Sequence, residues 1–185
     1  MFFLKKKIGL ESFIRMIANE VLKVPQYTYD DYLEIDPNAL LSRKEFEEFN
    51  SNVSLLRVLL LYAMLIDNKD RRQIKDSMKE LDKTFNQALE LSYQDHDFDQ
   101  DEAQRLTEVV SSELDLLISY TASIPEKDIL VKGFTPFTCL YYTARYVETS
   151  EESVRTGVYV ALINNQRELM KEYFKKAIAK VKIEN

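Results

Sequence analysis

Glycine and proline are scarce in this chain, three and four residues among 185. Tight hairpins, β-sandwiches and phosphate-cradling loops all draw on glycine, because their turns need positive φ. Their scarcity argues against those architectures and for helices joined by short connections. Histidine and cysteine occur once each, as His96 and Cys139. That is too few for a zinc site built on several His or Cys, or for the paired Glu-x-x-His motifs of a di-iron bundle. One cysteine also excludes an internal disulfide, which fits a reducing cytoplasm. The opening MFFLKKKIGLESF places its apolar residues ahead of the lysines, the reverse of a secretory signal. No stretch reaches the about 20 apolar residues of a membrane span. A cytoplasmic protein without a membrane span is therefore expected.

Tryptophan is absent, whereas tyrosine occurs eleven times. The formal net charge is −6 and the pI near 5.0, a balance that disfavours nucleic-acid binding through phosphate neutralisation. Two basic clusters stand against it: Lys5 to Lys7, and lysines 171, 175, 176, 180 and 182. The second suits a helix C-terminus, where the macrodipole is negative, and Glu172 and Glu184 dilute it. With 45% hydrophobic and 30% charged residues, the composition is that of a folded globular protein. No repeat or linker divides residues 1–185, so one domain is expected.

The dominant apolar stretch is VSLLRVLLLYAMLI, Val53 to Ile66. A helix apolar on nearly every side must be enclosed by its neighbours. The capping-box sequence Ser42-Arg-Lys-Glu45 opens it, so the spacing predicts one central helix over about 43–67. Around it the 3.6-residue period predicts a helix over 10–24 that starts as early as Phe2 and stops at Pro25. Further helices follow: one with Ile74, Met78, Leu81, Phe85, Ala88 and Ser92 inward, and one capped by Asp99 that runs to Pro125. A helical turn follows, closed by Gly133. A shorter helix starts at Thr135-Pro136, with Phe137, Leu140, Tyr141, Ala144 and Val147 on its inner side. A long C-terminal helix starts at Thr149-Ser-Glu-Glu152, with Val154, Val158, Ala161 or Leu162, Asn165, Leu169, Tyr173, Ala177 and Val181 on its seam. Short turns are expected at Thr28, at Asp36-Pro37, and at Asp67 to Asp70 with Asp70 as cap. The expected fold is an all-α, single-domain bundle of six or seven helices around the 43–67 helix.

Candidate chemistry is sparse. Asp97, Asp99, Asp101 and Glu108 fall at positions one, three, five and twelve of a calcium loop, but Glu102 stands where glycine is needed. Acids at a helix N-terminus account for the same residues. His96 lies among aspartates in a solvated loop. Asp30, Asp31 and Asp36 suit turn caps better than a metal motif. No metal, cofactor or catalytic residue is assigned.

Arg57 is different, because a buried guanidinium must be paired or must hold an anion. With Asn50 and Ser54 it forms a polar line on the central helix. Two readings follow: an ion pair with a carboxylate from a neighbouring helix, or the polar end of a pocket for an anionic small molecule. Asn165 is either a second lining group or a register-fixing polar residue. Tyr27, Tyr29 and Tyr32 form the candidate exposed aromatic patch for a partner. The leading expectation is a non-enzymatic interaction or regulatory module that binds another protein or itself as a homodimer. The alternative is a domain that binds an anionic small molecule through Arg57, Ser54, Asn50 and Asn165. An enzyme of unknown type ranks third.

Overall fold

The computed structural model describes residues 6–68, 78–147 and 153–184. Ile74, Asp70 as cap, the Thr149 helix start and a beginning at Phe2 lie outside the described residues. The described part is all-α, with nine helices and one two-stranded parallel ribbon.

The ribbon is the one element that helical periodicity could not supply. Its strands are β1 (Lys6–Gly9) and β2 (Val181–Glu184), paired Lys6 to Val181 through Gly9 to Glu184. Residues 6–9 are therefore strand, and α1 is confined to Leu10–Leu22. On α1, Leu10, Phe13, Ile14, Ile17, Ala18 and Val21 are buried, the expected one-sided stripe.

A capping box opens the short helix α2 (Tyr29–Ile35): Thr28 Oγ1 accepts from Asp31 N, and the Asp31 carboxylate accepts from Thr28 N. Asp36-Pro37 starts no helix. Asp36 is instead the C-terminal cap of α2, and its carboxylate accepts from the backbone of Leu40 and Asn38.

The central helix is two helices. Ser42 and Glu45 form their reciprocal box and open α3 (Arg43–Ser51). The chain then turns by 44° at Asn52 into α4 (Val53–Asn68). Ser51 Oγ and Asn52 Nδ2 both donate to the Glu48 carbonyl, the side-chain competition by which Ser and Asn break helices. Tyr142 Oη donates to the Asn52 carbonyl at 2.7 Å and holds the break in place. Beyond it α4 is enclosed, with every residue from Leu56 to Leu65 buried. No single helix among the described residues is long and apolar enough to cross a membrane.

Helices α5 (Met78–Gln94), α6 (Gln100–Ala122), α7 (Glu126–Lys132), α8 (Phe134–Thr143) and α9 (Ser153–Lys180) complete the wrapping. α4 touches α1, α6, α8 and α9, and α5 packs against α1 and α6. Leu81, Phe85, Ala88 and Ser92 face inward on α5, as their spacing predicts. Asp99 caps α6 by accepting from Glu102 N, and Gly133 terminates α7 at φ +83°.

Two helix phases depart from expectation. On α8 Phe137 is buried as expected, but Thr138 and Tyr142 take the other inner positions and Leu140 is exposed. On α9 the seam is Tyr159, Leu162, Ile163, Gln166, Met170, Phe174 and Ala177: Leu162 and Ala177 lie on the expected line, while Tyr159, Gln166, Met170 and Phe174 lie one residue on from Val158, Asn165, Leu169 and Tyr173. Apolar residues stand at both phases of α9, as in Leu169-Met170 and Tyr173-Phe174. Its sequence therefore carries almost no preferred face.

Candidate functional site

The polar line on the central helices binds a stretch of the chain itself. Arg57 is 1% exposed. Its Nη1 donates to the Val24 carbonyl at 2.7 Å and its Nη2 to the Pro25 carbonyl at 3.1 Å. Nε donates to Gln166 Oε1 at 2.8 Å. Asn50 Nδ2 donates to the Tyr27 carbonyl at 2.7 Å. Proline at 25 removes a backbone donor and ends α1 nearby, leaving carbonyls of residues 24, 25 and 27 without helical partners. Asn50 and Arg57 satisfy them and fix the path from α1 to α2.

This geometry corrects the ion-pair expectation. Among the described residues no carboxylate lies within ion-pairing distance of Arg57; its partners are neutral oxygens. Burial lowers the guanidinium pKa, opposed by the nearby phenols of Tyr27 and Tyr173. Partial negative charge on carbonyl oxygens supports a cation less than a full carboxylate does, so the direction follows. Asn165 is exposed and stands outside this cluster, and Gln166 takes its place. Ser54 is half-buried and makes no side-chain hydrogen bond among the described residues. Of the four ligand candidates, only Asn50 and Arg57 act together. They act on backbone.

The tyrosine patch is also corrected. Tyr32 is fully buried, donating to Asp36 Oδ2 at 2.6 Å and accepting from Leu41 N at 2.8 Å. Its ring stacks on Phe46 at 5.0 Å. Tyr29 is half-buried, donates to the Leu41 carbonyl and lies under the Arg43 guanidinium. Tyr27 is half-buried beside Asn50. These rings anchor the 25–41 segment to α3 and present no shared exposed face.

The acidic candidates resolve into caps and helix surface. Residues 100–108 are helical, so Asp101 and Glu108 cannot join Asp97 and Asp99 in a loop around a cation. Among the described residues no group of three or more His, Cys, Asp or Glu is arranged to hold a metal ion. Asp31 belongs to its capping box and Asp36 to the Tyr32 network. Cys139 is buried, and that burial pushes its thiol up to about 11, which keeps it protonated and poorly nucleophilic.

A different surface exposes large apolar side chains beside acids. Val109 and Leu116, one heptad apart on α6, are 51% and 55% exposed. On the same helix, Glu108 and Asp115 precede them and are exposed. Among the described residues neither carboxylate has a cationic partner. α6 carries five carboxylates against the single Arg105, which pairs with Glu102. Towards α8, Tyr141 Oη and Arg145 Nη2 both donate to Glu113, and the Tyr141 ring lies 5.6 Å from that of Tyr120. The strip is thus braced on one side and acidic on the other. Its sequence signal is the pair of doublets Val109-Val110 and Leu116-Leu117. A helix with one inward stripe buries only one member of each, here Val110 and Leu117.

Comparison with protein-family models, with curated proteins and with solved structures returns no match, so function must be read from these residues.

Proposed function

We propose that this chain is a non-enzymatic interaction module that takes, along the outer face of α6, a basic amphipathic helix of another protein. The observation that carries this reading is the half-exposed pair Val109 and Leu116 flanked by Glu108 and Asp115. Large apolar side chains exposed at heptad spacing are the anchors of helix-on-helix recognition. Carboxylates without a cationic partner beside them favour lysine or arginine on the partner and steer its approach, Glu108 accepting only from the Gln104 amide. The same charges disfavour a homodimer through this face, since two copies would set acid against acid.

The test is isothermal titration with a 20-residue amphipathic peptide bearing leucine at heptad spacing and lysine on its flanks. A scrambled peptide of identical composition serves as control. The amphipathic peptide binds the native protein, and the double change Val109→Glu and Leu116→Glu weakens it at least about tenfold, the scale of losing one interface anchor. Equal binding of the scrambled peptide, or no effect of the double change, overturns the proposal. So does a sedimentation experiment showing a dimer that Leu116→Glu dissociates.

A further inference from the structure

Helices α1 and α9 run antiparallel. At one end Gly9, just before α1, is in register with Glu184, just past α9. At the other, Arg57 bridges the Val24 carbonyl beyond α1 to Gln166 in mid-α9. Between the two helices lies an open groove of about 410 Å³. Met16, Ile17 and Ala177 give it an apolar floor, and Tyr173 lines it beside Glu20. Lys176 and Lys180 stand on its α9 wall, one helical turn apart.

Charge is graded along this groove. The antiparallel pairing sets Glu20 towards the Arg57 end, where it pairs with Lys23 at 3.6 Å. The Lys180 end faces the ribbon, which carries the exposed Lys6 and Lys182. Lys176 pairs with Glu172 at 3.4 Å, while Lys180 has no anionic partner among the described residues. The α9 dipole places only about half a negative charge at that end, less than the full charge of Lys180. The groove matches the lower range of small-molecule pockets.

We propose that this groove binds a single anionic amphiphile, an alkyl-chain carboxylate. Its chain lies on Met16, Ile17 and Ala177, and its carboxylate meets Lys180 with Lys176 beside it. The site is separate from the α6 face and shares none of its residues. Anion recognition here belongs to exposed lysines on α9, not to the enclosed Arg57.

The test is isothermal titration of the full chain with decanoate below its micelle concentration, with octanoate and dodecyltrimethylammonium as companions. Decanoate binds saturably at one site. Lys180→Glu, an exposed change that leaves the fold intact by circular dichroism, weakens it at least about tenfold. Octanoate binds about tenfold or more weakly than decanoate, since each buried methylene is worth a factor of about four. Leu116→Glu leaves decanoate binding unchanged. Absence of saturable binding, indifference to Lys180→Glu, equal affinity for the cationic chain, or loss of binding in Leu116→Glu each overturns the proposal.

Discussion

Asp67 occupies the space that a side chain at Gly133 would need. A Cβ on Gly133 would lie 2.9 Å from Asp67 Oδ1, and the glycine holds φ at +83° and ψ at 171°, a region that suits glycine alone. The same carboxylate accepts from Phe134 N, from Thr135 N at 3.0 Å and from Thr135 Oγ1 at 2.5 Å. A residue at the end of α4 thereby caps the start of α8, at the positive end of that helix's dipole.

Gly133→Ala is expected to destabilise the protein by about 2–3 kcal/mol, combining backbone strain with the clash. Asp67→Ala is expected to cost about 1–2 kcal/mol through the lost cap. Because the two residues meet, the double change costs less than the sum. Urea unfolding midpoints check all three; additive costs would show that the contact is not formed in solution.

The seam of α9 is tested by its neighbouring polar residues. Asn165→Ala, at an exposed position, is expected to change stability by less than about 0.5 kcal/mol. Gln166→Ala removes the acceptor for Arg57 Nε and leaves a cavity, an expected loss of about 2 kcal/mol or more. Arg57→Ala is expected to cost about 3 kcal/mol, because Gln166 and the carbonyls of Val24 and Pro25 lose their donor and a buried side chain leaves a cavity. Arg57→Met keeps the stem packing and removes the desolvated charge, so it is expected to cost less. Thermal melts of the four variants rank them, and a larger loss for Asn165→Ala than for Gln166→Ala would reverse the assigned phase.

Acid sensitivity is assigned to the α1–α5 contact. Asp95 takes a bidentate pair of bonds from Arg15, at 2.7 and 2.5 Å, and a third from Asn19 at 2.8 Å. The hydrogen bonds from Arg15, then that from Asn19, hold its carboxyl down at about 2. A folded pKa below the unfolded value near 3.9 contributes stability above pH about 4 that is lost as pH falls to about 2. Solvent around the pair limits the contribution to about 1 kcal/mol. Asp95→Asn is expected to lower stability at pH 7 by that amount and to flatten the difference between pH 4 and 2. Unfolding curves across that range decide it.

Tyr32 has the opposite sign. Burial first, and then its bond to Asp36, push the phenol up to about 12. Its folded pKa exceeds the unfolded value of about 10, so its contribution is complete below pH 10 and is lost as pH rises towards 12. Tyr32→Phe is expected to cost about 1–2 kcal/mol at neutral pH, by orphaning the Leu41 N–H. The variant also loses that share of the alkaline decline, measured as a difference in unfolding free energy between pH 9 and 11.

Features whose cause lies within about four residues were legible from the chain. Ser42 with Glu45 and Asp99 with Glu102 are caps that close over a single turn, and each forms as its spacing implies, while Thr28, read as the cap of a short turn, opens the seven-residue helix α2. The stripe of α1 and the inward residues of α5 were equally plain, because apolar residues occupy one helical phase there and not the other. The candidate site was much less legible. Arg57 stood out as a charge inside an apolar run, but its partners are carbonyls of residues 24 and 25 and an amide 109 positions away. Backbone acceptors carry no signature in side-chain sequence.

Local sequence sets the helical character, the box of Ser42 with Glu45, the Asp99 cap, and the enclosure of the second half of the central helix. Those properties follow from glycine scarcity, short-range hydrogen bonds and the sign of apolar burial. Tertiary contacts selected the phase of α9, the capping of α8 by Asp67, and the pairing of β1 with β2. Each of these depends on two segments far apart in the chain, where the local free energies of the alternatives are nearly equal and contact with a distant partner selects between them.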